Sequence, residues 1–345
     1  MDAATDNTHS PLSAIHAAGT LLLSRSDVER LLTPDDCIAA VEDAFRQLAL
    51  GKVQPPGILG LHGDEGSFHI KAALLRLDRP YFAAKSNANF PNNGVRFGLP
   101  TIQGVVILCD AASGLPLAVM DSIAITALRT AAATAVAAKY LAREQSAAAL
   151  ICGCGGQAAA QLRALLRVRS PLRIYAYDQD AARAQTFAAA LGNEIPAVIT
   201  PVVDLADAVA ASDIVITCTT SRHYFITREM VRPGTFVAGV GADSENKQEL
   251  DPLLLAHGTL VTDITEQCSA IGDLHHAIAS NTMSRADVHA ELGEIVAGLK
   301  SARTSDDEIT VFDSTGTGLQ DVAAAIAVYS RAVAQQQGAY FSFNF

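Results

Sequence analysis

Short apolar runs alternate with helical segments through the middle of the chain. AAALICG, RIYAYD, AVITPV, DIVITCTT, TFVAGVGAD and TLVTDI have the length and the β-branched or aromatic content of strands. QAAAQLRALLRV, AARAQTFAAALG and DLADAVAAS, lying between them, have helical spacing. This alternation predicts a parallel sheet with helices on both faces, because parallel neighbours need a crossover that returns the chain to the same end of the sheet.

The first crossover narrows the expectation. ALICGCGGQAAAQL, residues 149–162, passes from an apolar run through glycines into an Ala-rich helix. Gly153, Gly155 and Ala158 fit G-x-G-x-x-A in the strand-to-helix context that the pattern requires. The first glycine makes the tight turn, the second lets the backbone approach a pyrophosphate, and the small third residue lets helix and strand pack closely. The helix N-terminus offers free N–H groups to phosphate oxygens. RIYAYD then ends on Asp178, an acid able to accept hydrogen bonds from the ribose hydroxyls of NAD and to repel the 2′-phosphate of NADP. The cofactor expected is NAD, held by Gly153, Gly155, Gly156, Gln157 and Asp178, with Thr217 and Thr219 at the end of DIVITCTT. Cys152 and Cys154 fill small sites in the loop, since a C-x-C without a second ligand pair is a weak metal signal.

The flanks have a different pattern. DVERLLTPDDCIAAVEDAFRQLALG has helical spacing and ends at Gly51. GSFHIKAAL, YFAAKSNANF and TIQGVVILCD follow as β-like runs, with NFPNNG and ASGLP supplying turns. VVILCDAASGLPLAVMD has the form of a hairpin with Ser113-Gly114 near its tip. This region is therefore α+β, with a locally joined sheet. A long helix, SIAITALRTAAATAVAAKYLA, leads into the alternating region. From about residue 310, ITVFDSTGTGLQDVAAAIAVYSRAVAQQQ gives a strand, a Gly/Thr loop and another long helix.

With 345 residues, half of them hydrophobic, the chain can build cores for two domains. A net charge of −11 argues against a nucleic-acid partner. TAAATAVAAKYLA is short and broken by Lys139, so no membrane span is expected. The N-terminal MDAATDNTHSPLSAIHAAG has acids but no Lys or Arg, and is expected to be a loose leader rather than a signal peptide. The six cysteines, Cys37, Cys109, Cys152, Cys154, Cys218 and Cys268, mostly occupy apolar runs and fit free thiols of a reducing cytoplasm. His275 and His276 are adjacent and lack a spaced third ligand, so no metal is expected.

AAKSNANFPNN, GLPTIQGVVILCDAASGLPLAVMD, ITALRTAAATAVAAKYLA, GCGGQ, GVGADSENKQELDP and VFDSTGTGLQD follow one another along the chain. In these motifs and their order the chain resembles the ornithine cyclodeaminase/mu-crystallin family. The resemblance implies NAD(P)-linked chemistry at the α-carbon of amino or imino acids. It also implies an α/β fold in which residues 129–315 form a Rossmann-type parallel-sheet domain. Residues 1–128 and 316–345 then form an α+β substrate-binding and dimerisation domain, through which the family builds a homodimer.

The candidate site residues combine both kinds of argument. Lys85 lies in YFAAKSNANF among small and apolar neighbours. Partial burial there lowers a lysine pKa and suits it to proton transfer, whereas a strand lysine reaching solvent is the alternative. The resemblance makes Lys85 the catalytic lysine, which also holds the substrate carboxylate. Arg129, on an Ala-rich helix, is either a surface arginine or a bidentate grip on a carboxylate. The resemblance implies the grip, with Thr130 approaching the cofactor phosphates. Asp243 closes TFVAGVGAD, at the end where α/β sheets gather ligands. It is a turn aspartate or, as the resemblance implies, a catalytic carboxylate that binds a cationic amine or imine or activates water. Ser314, Thr315, Gly316 and Thr317 precede the last helix, and by resemblance their loop borders the nicotinamide; capping of that helix by Thr317 or Asp321 is compatible with this. His69 and Lys71 share one strand face by period-two spacing, and either line the substrate cleft or form an exposed polar face.

One departure bears on the reaction. Family cyclodeaminases carry an arginine directly after the prolines, where this chain has VQPPGIL and therefore Gly57. Without that cation the substrate is held differently, through Lys71 or His69, or is itself different. The expected activity is an NAD-dependent oxidoreductase of the amino-acid dehydrogenase or imine (ketimine) reductase type. The alternatives are a cyclodeaminase-type lyase using NAD catalytically and a non-catalytic dinucleotide-binding protein of the mu-crystallin type. The joint presence of Lys85, Arg129 and Asp243 argues against the last.

Overall fold

The computed structural model describes residues 19–343, so the expected N-terminal leader lies outside the described residues. Before the long helix Ser122–Leu141 come β1 (Thr20–Leu23), β2 (Gly57–His62), β3 (Ser67–Arg76), β4 (Pro80–Asn89), β5 (Ile102–Asp110) and β6 (Pro116–Asp121). After it come β7 (Ala148–Cys152), β8 (Arg173–Tyr177), β9 (Val198–Pro201), β10 (Ile214–Thr217) and β11 (Phe236–Gly239). They are followed by β12 (Thr259–Thr262), β13 (Ala290–Glu291), β14 (Thr310–Asp313) and β15 (Ala339–Phe341).

The later strands make an eight-stranded sheet in the order β13-β12-β14-β11-β10-β7-β8-β9, every pair parallel. Every residue of β7, β10, β11 and β14 is buried. Helices cover both faces of such a sheet, which is why these strands are continuous apolar runs rather than alternating ones. β14 enters between β11 and β12, so a strand from the end of the chain stands in the middle of the sheet.

The early strands make a seven-stranded sheet in the order β15-β1-β6-β5-β4-β3-β2. All pairs are antiparallel except β1–β6. Its two faces differ. Ala73, Leu75, Tyr81, Ala83, Val106 and Leu108 are buried on the inner face, against the helices Ser122–Leu141 and Gly318–Gln335. On the outer face Leu59, Leu61, Phe68, Leu74, Val105 and Ile107 are exposed.

One local expectation needs correction, and one strand was not foreseen. The helix expected to run unbroken to Gly51 is two helices, Arg25–Leu31 and Pro34–Ala49. Thr33 caps the second through a bond from Asp36 N, and Pro34, lacking an N–H and disfavouring helical geometry in the residue before it, breaks the first from the second. β2 carries no clear strand signal in the sequence, because Pro55-Pro56-Gly57 opens it and all six of its residues are exposed.

Candidate functional site

The glycine loop leaves β7 with Gly153 at φ +91°, a left-handed conformation that a side chain rarely adopts. A Cβ there would also lie 2.8 Å from Thr219 Cγ2. Gly155 and Gly156 face open space, with nothing within 4 Å of where a Cβ would be. The helix Ala158–Val168 then starts with no side-chain cap, which leaves its first N–H groups for a ligand. Gln157, just before it, keeps its buried Oε1 without a hydrogen-bond partner. A cavity of about 480 Å³ opens here, lined by Gly153, Gly155, Asp178, Arg183, Thr219 and Arg222 among others. Asp178 Oδ2 accepts from Cys154 N at 2.9 Å and Oδ1 from Asp180 N at 3.0 Å, which fixes the carboxylate at the far wall. An open, uncapped helix start with an acid at the end of the next strand fits a dinucleotide.

Thr217 is placed differently from its neighbours. It is fully buried, and its hydroxyl donates to Glu249 Oε2 at 2.7 Å rather than lining the cavity. Thr219 donates to Glu249 Oε1 through both its N–H (2.6 Å) and its hydroxyl (2.7 Å), and Gly241 N donates to Oε2 at 2.7 Å. Glu249 thus ties together the loops after β10 and β11. Sequence reasoning missed it, although an acid just before the apolar helix Pro252–His257 is a signal worth testing. Ser314 and Thr315 are buried, and their hydroxyls donate to Asp263, as does Gly316 N at 2.7 Å. The Thr130 hydroxyl donates back to Thr126 O at 2.7 Å.

The substrate candidates meet on the inner face of the seven-stranded sheet. Lys71 and Lys85 are direct cross-strand partners, and both are buried. Lys85 Nζ lies 2.9 Å from Asp321 Oδ1, and Arg129 Nε lies 2.9 Å from the same oxygen. Arg129 Nη1 also donates to Gln320 Oε1 at 2.6 Å. Lys71 Nζ donates to the carbonyls of Thr315 (3.0 Å) and Gly316 (2.6 Å). Gly316 is required where it stands, because a Cβ would collide with the Arg129 guanidinium. Asp321, expected only as a helix cap, is instead the buried anion between two cations. A Gln-Asp pair inside the apolar GLQDVAAAIAV was the available signal.

Burial, reinforced by the charge of Arg129, lowers the Lys85 pKa to about 7 despite the opposing pull of Asp321. Burial and Arg129 also lower Lys71. For Asp321 burial pushes upward, but Lys85 and Arg129 outweigh it and hold the carboxyl below its ordinary range. Asp243 stands in the loop beyond β11, which stops at Gly239, so it follows the strand rather than closing it. Its side chain is half exposed and pairs with Lys247 Nζ at 2.6 Å. The burial that would raise its pKa is outweighed by Lys247, Lys71 and His69. His69 is half-buried on the Lys71 side of β3, its pKa lowered by burial against the pull of Asp243. His276 Nε2 donates to Lys247 O at 2.9 Å and so braces this loop, while His275 Nδ1 contacts Ser269 O. Among the described residues no three or more His, Cys, Asp or Glu side chains gather as a metal site would require.

The register also moves the expectation at Gly57. Gly57 pairs with Ala72 and so lies on the opposite face from Lys71, whereas Ile58 stands directly abreast of Lys71. The position on β2 that faces the site is therefore Ile58, and it carries no cation.

The profile of the ornithine cyclodeaminase/mu-crystallin family matches residues 19–336. The chain belongs to this family. It is 40% identical over 325 residues to an alanine dehydrogenase of Archaeoglobus fulgidus, covering 94% of this chain and 98% of that protein. Among family structures, an archaeal alanine dehydrogenase dimer with bound NAD superposes with a TM-score of 0.90 at 39% identity, covering 94% of this chain and 99% of the other. The Δ1-pyrroline-2-carboxylate reductase of Thermococcus litoralis, in complex with NADH and L-proline, gives 0.88 at 34% identity, covering 93% and 100%.

Proposed function

We infer that the protein is an NAD-dependent oxidoreductase acting at the α-carbon of an amino or imino acid, of the amino-acid dehydrogenase or imine reductase type. The observation that carries this reading is the buried Lys85–Asp321–Arg129 cluster in a chain that also holds an open glycine loop. NAD, when bound, takes or gives the hydride at the nicotinamide. The chain's residues do the rest. Gly153, Gly155, Gly156 and Gln157 form the phosphate cradle, Asp178 receives the ribose hydroxyls, and Thr219, Ser314 and Thr315 shape the loops toward the nicotinamide. Arg129 grips the substrate carboxylate with Lys85, and Asp243 faces the cationic nitrogen at the mouth of the cleft. Lys85, with a pKa of about 7, exchanges a proton with the substrate at neutral pH.

Several wider features follow from the same reading. Residues 129–315 act as the dinucleotide domain, and 1–128 with 316–345 as the substrate-binding domain. The working form is a homodimer that covers the exposed Leu59, Leu61, Phe68, Leu74, Val105 and Ile107 face, since an apolar patch of this extent marks an interface. All six cysteines are free, which suits the cytoplasm. Among the described residues no helix is long and apolar enough to cross a membrane.

The test is NADH consumption, followed by absorbance, with a panel of 2-oxo acids plus ammonia or methylamine and with preformed cyclic imines. At least one class should consume NADH stoichiometrically. L-Ornithine with catalytic NAD should yield no appreciable proline, because β2 presents Ile58 rather than a cation. Release of proline and ammonia with no net NADH would replace the oxidoreductase reading with a cyclodeaminase.

A further inference from the structure

We propose that the substrate carries a second carboxylate on its side chain, and that Lys71 holds it. This rests on the oxidoreductase reading above and names the substrate class, an α-amino or α-imino dicarboxylic acid.

The argument is a balance of charge. Lys71, Lys85 and Arg129 are 8%, 3% and 4% exposed, so all three cations are buried together at the inner face of the mixed sheet. A single carboxylate, Asp321, touches them, and it touches only Lys85 and Arg129. An α-carboxylate bound at that pair brings the second negative charge. Lys71 is still left with neutral partners, the Thr315 and Gly316 carbonyls. Asp263 lies on the other side of that loop, bonded to Gly316 N, and Asp243 is engaged by Lys247. A buried ammonium without an anion is costly. Lys71 has three donors and uses two, so one remains for a ligand.

Independent features beside Lys71 point the same way. The 18-residue helix Gly318–Gln335 starts with no side-chain cap. Its first turn packs on β3, where a Cβ on Gly318 would lie 2.7 Å from the Ala72 carbonyl, next to Lys71 in the chain. Thr317 and Gln320 are 0% and 1% exposed, and Thr317 Oγ1 and Gln320 Nε2 have no hydrogen-bond partner. Unused donors and the positive end of a helix favour an anion.

In the reductive direction the 2-oxo carbon of a diacid condenses with ammonia and loses water to give the imine. The hydride of NADH adds to the imine carbon, and protons complete the amine. In sum, 2-oxo acid, ammonium, NADH and one proton give the amino acid, NAD and water.

The test measures kcat/KM for NADH oxidation with ammonia and either oxaloacetate or 2-oxoglutarate, against pyruvate and 2-oxobutanoate. The diacids should exceed the monoacids by roughly 30-fold, the effect of one charge-assisted contact. Lys71→Met should lower kcat/KM for the diacid at least about tenfold more than for the monoacid, mainly through KM, and Lys71→Arg should keep the diacid preference. Retained NADH binding, read by fluorescence, shows that each variant is folded. A wild-type preference for monoacids, or equal losses on both classes in Lys71→Met, would overturn the proposal. If no 2-oxo acid or cyclic imine consumes NADH, the oxidoreductase reading fails before this one is reached.

Discussion

In the parallel sheet four buried carboxylates gather at or beyond the strand ends: Glu249, Asp263, Asp273 and Asp313. On the inner face of the mixed sheet the buried ionisable groups are mostly cations: Lys71, Lys85 and Arg129, with Asp321 among them. Except for Asp273 Oδ2, the oxygens of these acids accept from donors of the fold itself. Glu249 accepts from Thr217, Thr219 and Gly241, and Asp313 from Leu274 N and Asp273 N. Burial and their mutual charge raise Asp273 well above its ordinary range, and burial brings Asp313 to about 7. The cations meet one carboxylate and a few carbonyls. One set of buried charges has been given its partners by the chain, which suits holding loops in place. The other has been left short of them, which suits receiving a ligand.

The largest effect that sharpens this contrast is expected at Lys85. Lys85→Met should reduce turnover by roughly 10³-fold, within the range of a general acid–base group, while NADH binding persists. In the wild type, amino-acid oxidation needs neutral Lys85 and should rise as pH climbs through about 7. Imine reduction needs the ammonium and should fall over the same interval. Initial rates in both directions across pH 5.5–9 check this; two limbs of the same sign would remove Lys85 from proton transfer.

A smaller effect tests the acid side. Glu249→Gln sets an amide N–H₂ against N–H and O–H donors now held by carboxylate oxygens. It should cost about 2 kcal/mol of stability, a melting temperature lower by roughly 5 °C. Lys85→Met should show no such drop, because it removes a buried cation from a site short of anions. Calorimetry on the two variants compares the regions directly, and equal destabilisation would break the contrast.

The smallest effect is at Asp178, half-buried at the edge of the dinucleotide cavity. Asp178→Ser should narrow the preference for NADH over NADPH by about tenfold, ~1.4 kcal/mol. Tighter binding of NADPH than NADH by the unmodified protein would contradict the assigned role.

How much of this was legible in the sequence follows from the range of each interaction. The glycine loop, Asp178 and the shared face of His69 and Lys71 are local patterns, and the structure has them where spacing predicts. Membership of β14 in the sheet was legible, but its place between β11 and β12 was not, because alternation does not order strands. Asp321 was hidden because its partners Lys85 and Arg129 lie far away in the chain and its own helix is otherwise apolar. Glu249 was hidden for the same reason. The face on which Gly57 lies was not legible, because prolines at the start of β2 obscure the two-residue period that only pairing with β3 reveals.

The position of β14 has a consequence in time. A ribosome releases β7 to β13 before it releases Thr310–Asp313, yet β11 and β12 have no contact in the sheet until that strand slides between them. β1, the first described strand to emerge, meets its partner β15 only at Ala339–Phe341. The parallel sheet cannot close until β14 has been made, and until then β11 and β12 wait with unpaired edges, the state in which such sheets are most exposed to aggregation and to chaperones.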